Sequence, residues 1–249
     1  MERAGGHSVF VRTTEGEGQA LVLLHGYPSS SFDFRGVLHH LDGRPTLAFD
    51  FLGYGLSDKP RDHGYSLFGQ ADLVEELVDR HLRGRPCFVV GHDMGTSVTT
   101  ELLARDLEGA LGFDLSGALL FNGSIVLDRA TLTRSQRLLR SRFGAIAARL
   151  SNRRVFDQQF GSLFSPDHPL QREEADDQWA LLRHKGGRYV THRTIAYLGE
   201  RVEFASRWHG AIREWPGALS LVWGMRDPVA GPPVLDAVRA LRPAAPCEE

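Results

Sequence analysis

Cysteine is scarce in this sequence, which contains only Cys87 and Cys247. Two thiols are too few for a disulfide framework and lack the spacing of a metal site, so we expect both to be free and no metal to be bound. Long apolar runs are also missing. No stretch approaches the roughly 20 residues that span a membrane, and residues 1–18 lack the apolar core of a signal peptide. These absences predict a cytoplasmic protein without a membrane partner.

An excess of either charge is missing too, because 29 Lys and Arg residues stand against 31 Asp and Glu residues and the formal net charge is −2. This balance argues against nucleic acid as a partner. The length of 249 residues and the apolar content of 42% fit one α/β domain with an inserted segment. We expect no cofactor.

Apolar runs of strand length alternate with amphipathic segments along much of the chain. Five runs are typical of buried strands: residues 20–24, 45–49, 86–90, 115–121 and 218–223. Helices are expected between them, including one from Leu67 to Leu82. The alternation predicts right-handed crossovers and a mostly parallel sheet flanked by helices.

The alternation stops between residues 124 and 201, which show helical patterns and no buried-strand run. We interpret residues 124–201 as a helical cap inserted into a core formed by residues 1–123 and 202–249. Residues 132–150 of this cap are rich in arginine interleaved with apolar side chains. A solvated helix face accounts for them better than an anion-binding surface does.

Residues 91–95 read Gly-His-Asp-Met-Gly and lie between a predicted strand and a predicted helix. A side chain at the centre of such an elbow is held above the end of the sheet in a strained conformation, and small residues two places away on either side let the backbones approach. Gly91 and Gly95 meet this requirement, and Asp93 is the central residue. The elbow therefore presents a carboxylate where an acyl-transfer enzyme presents a serine hydroxyl.

Asp93 has two alternative roles at this position. An ionised carboxylate needs no base to act as a nucleophile, and its natural target is an sp3 carbon that bears a leaving oxygen or halogen. Attack would leave an ester of Asp93. In the alternative, Asp93 only caps the N-terminus of the helix that begins near Met94, a position that aspartate often fills.

Four motifs occur in order along the chain: His-Gly-Tyr-Pro at residues 25–28, the loop of residues 50–60, the elbow, and Gly-Met-Arg-Asp at residues 224–227. With these motifs the sequence resembles the α/β-hydrolase superfamily, and within it the epoxide hydrolases and haloalkane dehalogenases that use an aspartate nucleophile. Residues 24–60 are also similar to the mesoderm-specific-transcript proteins of that superfamily. The resemblance implies the α/β-hydrolase fold with an inserted helical cap.

The resemblance also implies roles for individual residues. The residue after His-Gly and the residue after the nucleophile offer backbone N–H groups to negative charge at the nucleophile, and these positions are Tyr27 and Met94. We expect both to line the site together with His25, which we interpret as a structural residue of its loop. The acid that orients a catalytic histidine corresponds to Asp227, whose alternative role is that of a turn aspartate before Pro228.

The catalytic histidine itself is lacking. In the family it follows one further strand after Asp227, yet the last histidine in this sequence is His209. Either the sequence is cut short of that strand and the closing helix, or the protein has no general base. We favour the first alternative, and we expect these 249 residues to be inactive or limited to a single turnover.

We expect Asp93 to attack an epoxide carbon of a small apolar organic substrate while a cap tyrosine protonates the leaving oxygen. Tyr197 is the better candidate and Tyr189 the other, since a phenol is a suitable proton donor to an alkoxide. The closest alternative is a haloalkane dehalogenase, although Met94 replaces the tryptophan that usually follows that nucleophile and Tyr27 replaces the usual amide. A further alternative is a non-catalytic binding protein with this fold.

Overall fold

The computed structural model describes residues 1–41 and 43–249. Those residues form nine strands: β1 (Glu2–Ala4), β2 (His7–Val9), β3 (Val11–Thr14), β4 (Ala20–Leu24), β5 (Thr46–Phe49), β6 (Cys87–His92), β7 (Leu115–Phe121), β8 (Ala218–Val222) and β9 (Cys247–Glu248). They also form α-helices α1 (Arg35–Leu38), α2 (Leu67–His81), α3 (Met94–Leu107), α4 (Arg134–Arg140), α5 (Gly144–Leu150), α6 (Arg153–Gly161), α7 (Arg172–Arg183), α8 (Thr191–Thr194), α9 (Tyr197–Glu203), α10 (Ala205–Glu214) and α11 (Pro232–Leu241).

Seven strands form the main sheet, in the order β3-β5-β4-β6-β7-β8-β9. Strand β3 is antiparallel to β5, and every other neighbouring pair is parallel. The predicted mostly parallel sheet is therefore confirmed. The chain runs from β4 outward to β5 and then returns past β4 to β6, so the strand order reverses between β4 and β6. Ligands bind beyond the carboxyl ends of the strands at such a reversal.

The continuous apolar run of β4 is explained by burial on both faces of the sheet. Val22 and Leu24 pack in the larger core, to which α2, α3, α10 and α11 contribute. Leu21 and Leu23 pack on the other face, against Phe34 in front of α1. A strand covered on both sides gains hydrophobic stabilisation from every side chain, which is why it does not alternate between polar and apolar residues.

The chain between β7 and β8, residues 122–217, forms helices α4 to α10 and, within that described range, no strand. We call this segment the helical insertion. Helix α9 runs from Tyr197 to Glu203 and crosses the predicted boundary between residues 201 and 202. Helix α10 packs on α3, where the indole Nε1 of Trp208 donates to Glu101 at 2.9 Å. The division of the chain into core and cap stays a prediction.

A short strand follows α11. Cys247 and Glu248 form β9, which pairs in parallel with Leu221 and Val222 of β8. In the described residues, no helix has both the length and the apolar character needed to cross a membrane.

Candidate active site

Asp93 occupies the turn between β6 and α3. Its φ of 47° and ψ of −105° place a non-glycine residue in a strained backbone region. Several hydrogen bonds hold the main chain there: the Asp93 N–H donates to the Phe121 carbonyl at 3.1 Å, and the Asp93 carbonyl accepts from the Thr96 N–H at 3.2 Å and from Arg201 at 3.0 Å. Within the described chain the side chain makes no capping hydrogen bond to α3. The helix-cap alternative therefore does not describe Asp93.

The Asp93 carboxyl lies between a backbone donor and a buried cation. Oδ2 accepts a hydrogen bond from the N–H of Tyr27 at 2.8 Å, while Oδ1 lies 3.9 Å from Nη2 of Arg201 and the side chain keeps 22% of its surface exposed. Burial raises the pKa of this carboxyl, and Asp227 acts in the same direction. The Arg201 charge, His92 and the Tyr27 N–H oppose that rise in the pKa.

Tyr27 and Met94, the two residues expected to supply N–H groups and line the site, differ in what they contact: the Tyr27 N–H donates to Oδ2 of Asp93, whereas Met94 does not border the larger cavity among the described residues. Met94 is the first residue of α3, so its N–H has no acceptor within the helix and belongs to the positive end of the helix dipole. Tyr27 follows β4, the strand next to β6. Of the two N–H groups that the sequence assigned to this place, the Tyr27 N–H binds Oδ2, and the role of the Met94 N–H stays a prediction.

Asp227 lies in the loop after β8 and is held by three hydrogen bonds. Its Oδ1 accepts from the N–H groups of Val229 at 2.7 Å and Ala230 at 2.9 Å. Its Oδ2 accepts from Nδ2 of Asn122 at 3.0 Å. No imidazole contacts this carboxyl in the part of the chain that the structure describes. The same Asn122 side chain accepts from the N–H of Gly224 at 2.7 Å, so it joins the ends of β7 and β8.

Sequence reasoning alone does not predict the contact between Asn122 and Asp227. The available signal was an Asn-Gly pair directly after a buried parallel strand, where polar residues of neighbouring strands meet. The backbone φ of 42° at Asn122 marks it further, because asparagine is one of the few residues that adopt positive φ readily.

Asn122→Asp should destabilise the protein, and more strongly at high pH. The new carboxyl would lie about 3 Å from Asp227, so repulsion would raise the pKa of the pair in the folded state. The folded protein then binds a proton that the unfolded chain releases, and stability falls as pH rises through the raised pKa. We expect a loss of about 1–3 kcal/mol at pH 8 and a smaller loss at pH 5, measured by urea unfolding.

The exchanged pair, Asn122→Asp with Asp227→Asn, is the matched control, because it restores one amide and one carboxyl. It should recover most of the stability at pH 8. Equal losses in the single and the double variant, or a loss that does not depend on pH, would show that the contact between these side chains is not what stabilises the loop.

His25 is fully buried, and both of its ring nitrogens are engaged. Nε2 accepts from the N–H of Phe51 at 3.0 Å, so the proton lies on Nδ1, which is 2.8 Å from the carbonyl of Gly26. Burial lowers the pKa of this imidazole, which favours the neutral ring. The two hydrogen bonds of the His25 ring stabilise its loop. Among the residues that the structure describes, His25 does not border the cavity beside Asp93. This corrects its expected position in the lining of the site.

Tyr197 lies in α9 behind Tyr27, with ring centroids 6.1 Å apart. It is 1% exposed, and burial raises its pKa well above the ordinary value of a phenol, so the hydroxyl stays protonated. That hydroxyl has no hydrogen-bond partner among the described residues. The other cap tyrosine, Tyr189, is engaged instead, because its hydroxyl accepts from Nη2 of Arg188 at 2.6 Å.

A cavity of about 710 Å³ lies at the carboxyl ends of the parallel strands. Its polar side is formed by Tyr27, Asp93, Asn122 and Asp227. A second cavity of about 300 Å³ shares Tyr27 and Phe160 with it. In the described residues, no three His, Cys, Asp or Glu side chains lie close enough to hold a metal ion. The remaining walls of the larger cavity are mainly apolar and come from both the sheet and the helical insertion: Leu21, Leu23, Leu119, Phe121, Phe160 and Leu163.

Known proteins resemble this chain in sequence and in fold. A Mycobacterium tuberculosis protein named as a hydrolase, LipZ, is 55% identical over 237 residues, which cover 95% of this chain and 82% of that protein. The mesoderm-specific transcript protein of Mus musculus is 35% identical over 221 residues, which cover 86% of this chain and 66% of that protein. The solved structure of the haloalkane dehalogenase DbeA from Bradyrhizobium elkani has a TM-score of 0.80 and 21% identity, covering 99% of this chain and 86% of that one. The likeness to DbeA shows the fold alone.

The family model described as "alpha/beta hydrolase fold" matches residues 19–248. This range contains the parallel strands, the elbow and Asp227. The resemblance to this superfamily and to the mesoderm-specific-transcript proteins is confirmed. The chain therefore belongs to the α/β-hydrolase family and is a hydrolase of that family.

Proposed function

We propose that this hydrolase uses the Asp93 carboxylate as a nucleophile toward an epoxide carbon, with an ester of Asp93 as the intermediate. The observation that carries the proposal is the position of this carboxyl at a strained elbow, where it does not cap α3 and borders a cavity of about 710 Å³. The apolar walls of that cavity suit a small apolar organic substrate. A strained residue beside a cavity is a common feature of functional sites.

The chemistry follows from the contacts of the carboxyl. Oδ2 is held by Tyr27, which leaves Oδ1 to form a bond with carbon as the C–O bond of the epoxide breaks. The leaving oxygen takes a proton from Tyr197, whose hydroxyl has no hydrogen-bond partner among the described residues. The ring lies behind Tyr27 and, in the described chain, does not border the larger cavity, so this step requires the ring to turn toward the substrate.

Water then adds to Cγ of the ester as a base takes one of its protons. The bond from Cγ to the diol oxygen breaks, and that oxygen takes the proton from the base. The second proton of the water returns to the Tyr197 phenolate as the carboxylate is restored. The family resemblance assigns that base to a histidine oriented by Asp227.

Dehalogenation is the second candidate, because a carboxylate can displace halide by the same attack. A departing halide needs N–H donors around it, and among the described residues that border the larger cavity there is no tryptophan. Trp179 packs against Phe156 instead, with ring centroids 5.2 Å apart. The likeness to DbeA, at 21% identity, carries no argument for halide chemistry. Epoxide opening is therefore the function that we propose.

Incubation with styrene oxide, followed by intact-protein mass spectrometry, tests the proposal. We expect a gain of one epoxide mass, mapped to Asp93 by peptide sequencing, because attack on carbon needs no base and should proceed whether or not an imidazole reaches Asp227. Tyr197→Phe should slow adduct formation about 100-fold through loss of the proton donor. Tyr27→Phe is the matched control at the neighbouring ring, and it keeps the Tyr27 N–H.

Three outcomes would contradict parts of this proposal. Bromide release from a bromoalkane without an epoxide adduct would favour the dehalogenase. A stronger effect of Tyr27→Phe than of Tyr197→Phe would move the proton donor to Tyr27. Saturable binding of styrene oxide with no covalent product would favour a non-catalytic binding protein.

A further inference from the structure

The guanidinium of Arg201 is a buried cation that contacts the main chain of the elbow at Asp93. The residue is 1% exposed. Its Nε donates to Oγ of Ser97 at 2.7 Å, its Nη1 donates to Oγ of Ser124, and its Nη2 donates to the carbonyl of Asp93 at 3.0 Å. The ring of Tyr197 lies 4.7 Å from Cζ of this guanidinium. One side chain near the end of the helical insertion therefore reaches the first residues of that insertion, the first turn of α3 and the main chain of Asp93.

The acceptors in these hydrogen bonds are all neutral. In the described chain, Asp93 is the only residue with a carboxylate oxygen within 4 Å of the Arg201 guanidinium, at 3.9 Å from Nη2 to Oδ1. A buried charge is strongly unfavourable without a counter-ion, and the hydroxyls of Ser97 and Ser124 supply none. The carboxylate of Asp93 therefore balances the charge of Arg201.

We propose that Arg201 is the counter-ion that keeps the Asp93 carboxylate ionised and a positioning residue that holds the elbow, a role that rests on the proposed use of Asp93 as a nucleophile. The separation of 3.9 Å is too long for a hydrogen bond, so the lone pairs of Oδ1 stay free for attack while the cation still acts on the charge. The bond from Nη2 to the Asp93 carbonyl fixes the strained main chain at the same time.

Other groups also shift the pKa of the Asp93 carboxyl, some upward and some downward. Burial and the Asp227 carboxylate raise the pKa of Asp93, whereas Arg201, His92 and the Tyr27 N–H lower it. Loss of the Arg201 charge leaves burial less opposed, so the pKa of Asp93 should rise further. The titratable and charged groups that face Asp93 come from five other parts of the fold: Tyr27 after β4, Tyr54 after β5, His92 of β6, Asp227 after β8, and Tyr197 and Arg201 of α9.

Two readouts in the same variants test the role of Arg201. The first is the titration of the Asp93 carboxyl, followed by 13C NMR of protein labelled at aspartate Cγ and assigned with Asp93→Asn. The second is the rate of adduct formation with styrene oxide as a function of pH. In Arg201→Gln we expect both midpoints to move to higher pH by about one unit or more, because an opposite charge at this range lowers a carboxyl pKa by that amount. Arg201→Lys, which keeps the charge, should recover much of the shift.

Arg207→Gln is the matched control, because Arg207 also forms ion pairs with carboxylates, those of Glu101 and Glu108, but does not contact Asp93 in the described chain. It should leave both midpoints unchanged. An unchanged titration of Asp93 in folded Arg201→Gln, or an equal shift in Arg207→Gln, would overturn the proposal. If no variant forms an adduct, the proposed function fails, and the NMR titration still decides the role of Arg201.

Arg201→Gln could also prevent folding, since it leaves a buried carboxylate without its counter-ion. In that case Asp93→Asn, introduced into the same chain, decides the question. Recovery of the fold in the double variant would support the ion pair, because the amide removes the unbalanced charge. A double variant that stays unfolded would show that Arg201 acts only through Ser97, Ser124 and the main chain, and would overturn the counter-ion role.

Discussion

Asp93→Asn is expected to lower the rate of ester formation with styrene oxide by a factor of about 10⁴ or more. The amide has the shape of the carboxylate but no charge, and it is a poor nucleophile toward carbon. Asparagine also adopts positive φ readily, so the elbow at a φ of 47° should keep its conformation. The loss would therefore report on the reaction and not on the fold. Time-resolved intact-protein mass spectrometry measures the rate.

Asp33→Asn is the control for this variant. Asp33 borders the same cavity as Asp93, and its Oδ1 is occupied by the side-chain amide of Gln178 at 2.8 Å. The substitution makes the same chemical change at a carboxyl that does not lie on the elbow, so the adduct should still form on Asp93. Modification of another residue at the wild-type rate in Asp93→Asn would remove Asp93 from the mechanism.

The parallel strands and the elbow could be predicted because both are encoded locally. The runs at Ala20–Leu24 and Leu115–Phe121 have the bounds of β4 and β7, since a strand buried on both faces needs an apolar side chain at almost every position. The elbow needs only five consecutive residues, with Gly91 and Gly95 on either side of Asp93. The helix predicted from Leu67 to Leu82 ends one residue earlier, at His81.

The contacts that complete the site could not be predicted, because they join residues far apart in the chain. The bond between Asn122 and Asp227 spans 105 positions, and that between Arg201 and Asp93 spans 108. No local pattern separates Arg201 from the many arginines of the helical insertion, most of which reach solvent. Likewise, nothing beside His25 in the sequence indicates whether its ring faces a cavity or a buried loop. Packing alone decides such cases.

Gly95→Ala should lower the free energy of unfolding by about 3 kcal/mol or more. A Cβ at this position would lie 2.2 Å from the carbonyl oxygen of Leu24, 2.7 Å from its carbonyl carbon and 2.9 Å from the carbonyl oxygen of His25. All three are backbone atoms, so no side-chain rotation can relieve the overlap. The first turn of α3 packs directly on the end of β4, where the Gly95 N–H donates to the His25 carbonyl at 3.1 Å. Urea unfolding measures the loss.

Gly69→Ala is the matched control, because Gly69 also lies in the first turn of a helix, α2, and a Cβ there would have no atom within 4 Å. Alanine is the better helix former, so this variant should gain up to about 1 kcal/mol. A Gly95→Ala protein as stable as the wild type would contradict this prediction, because the first turn of α3 could then move away from β4 without loss of stability.

In a Gly95→Ala protein that folds, Leu24 and the loop after it have to move to make room for the added Cβ. Because Tyr27 lies on that loop and donates to Oδ2 of Asp93, the movement should also slow adduct formation in any Gly95→Ala protein that folds.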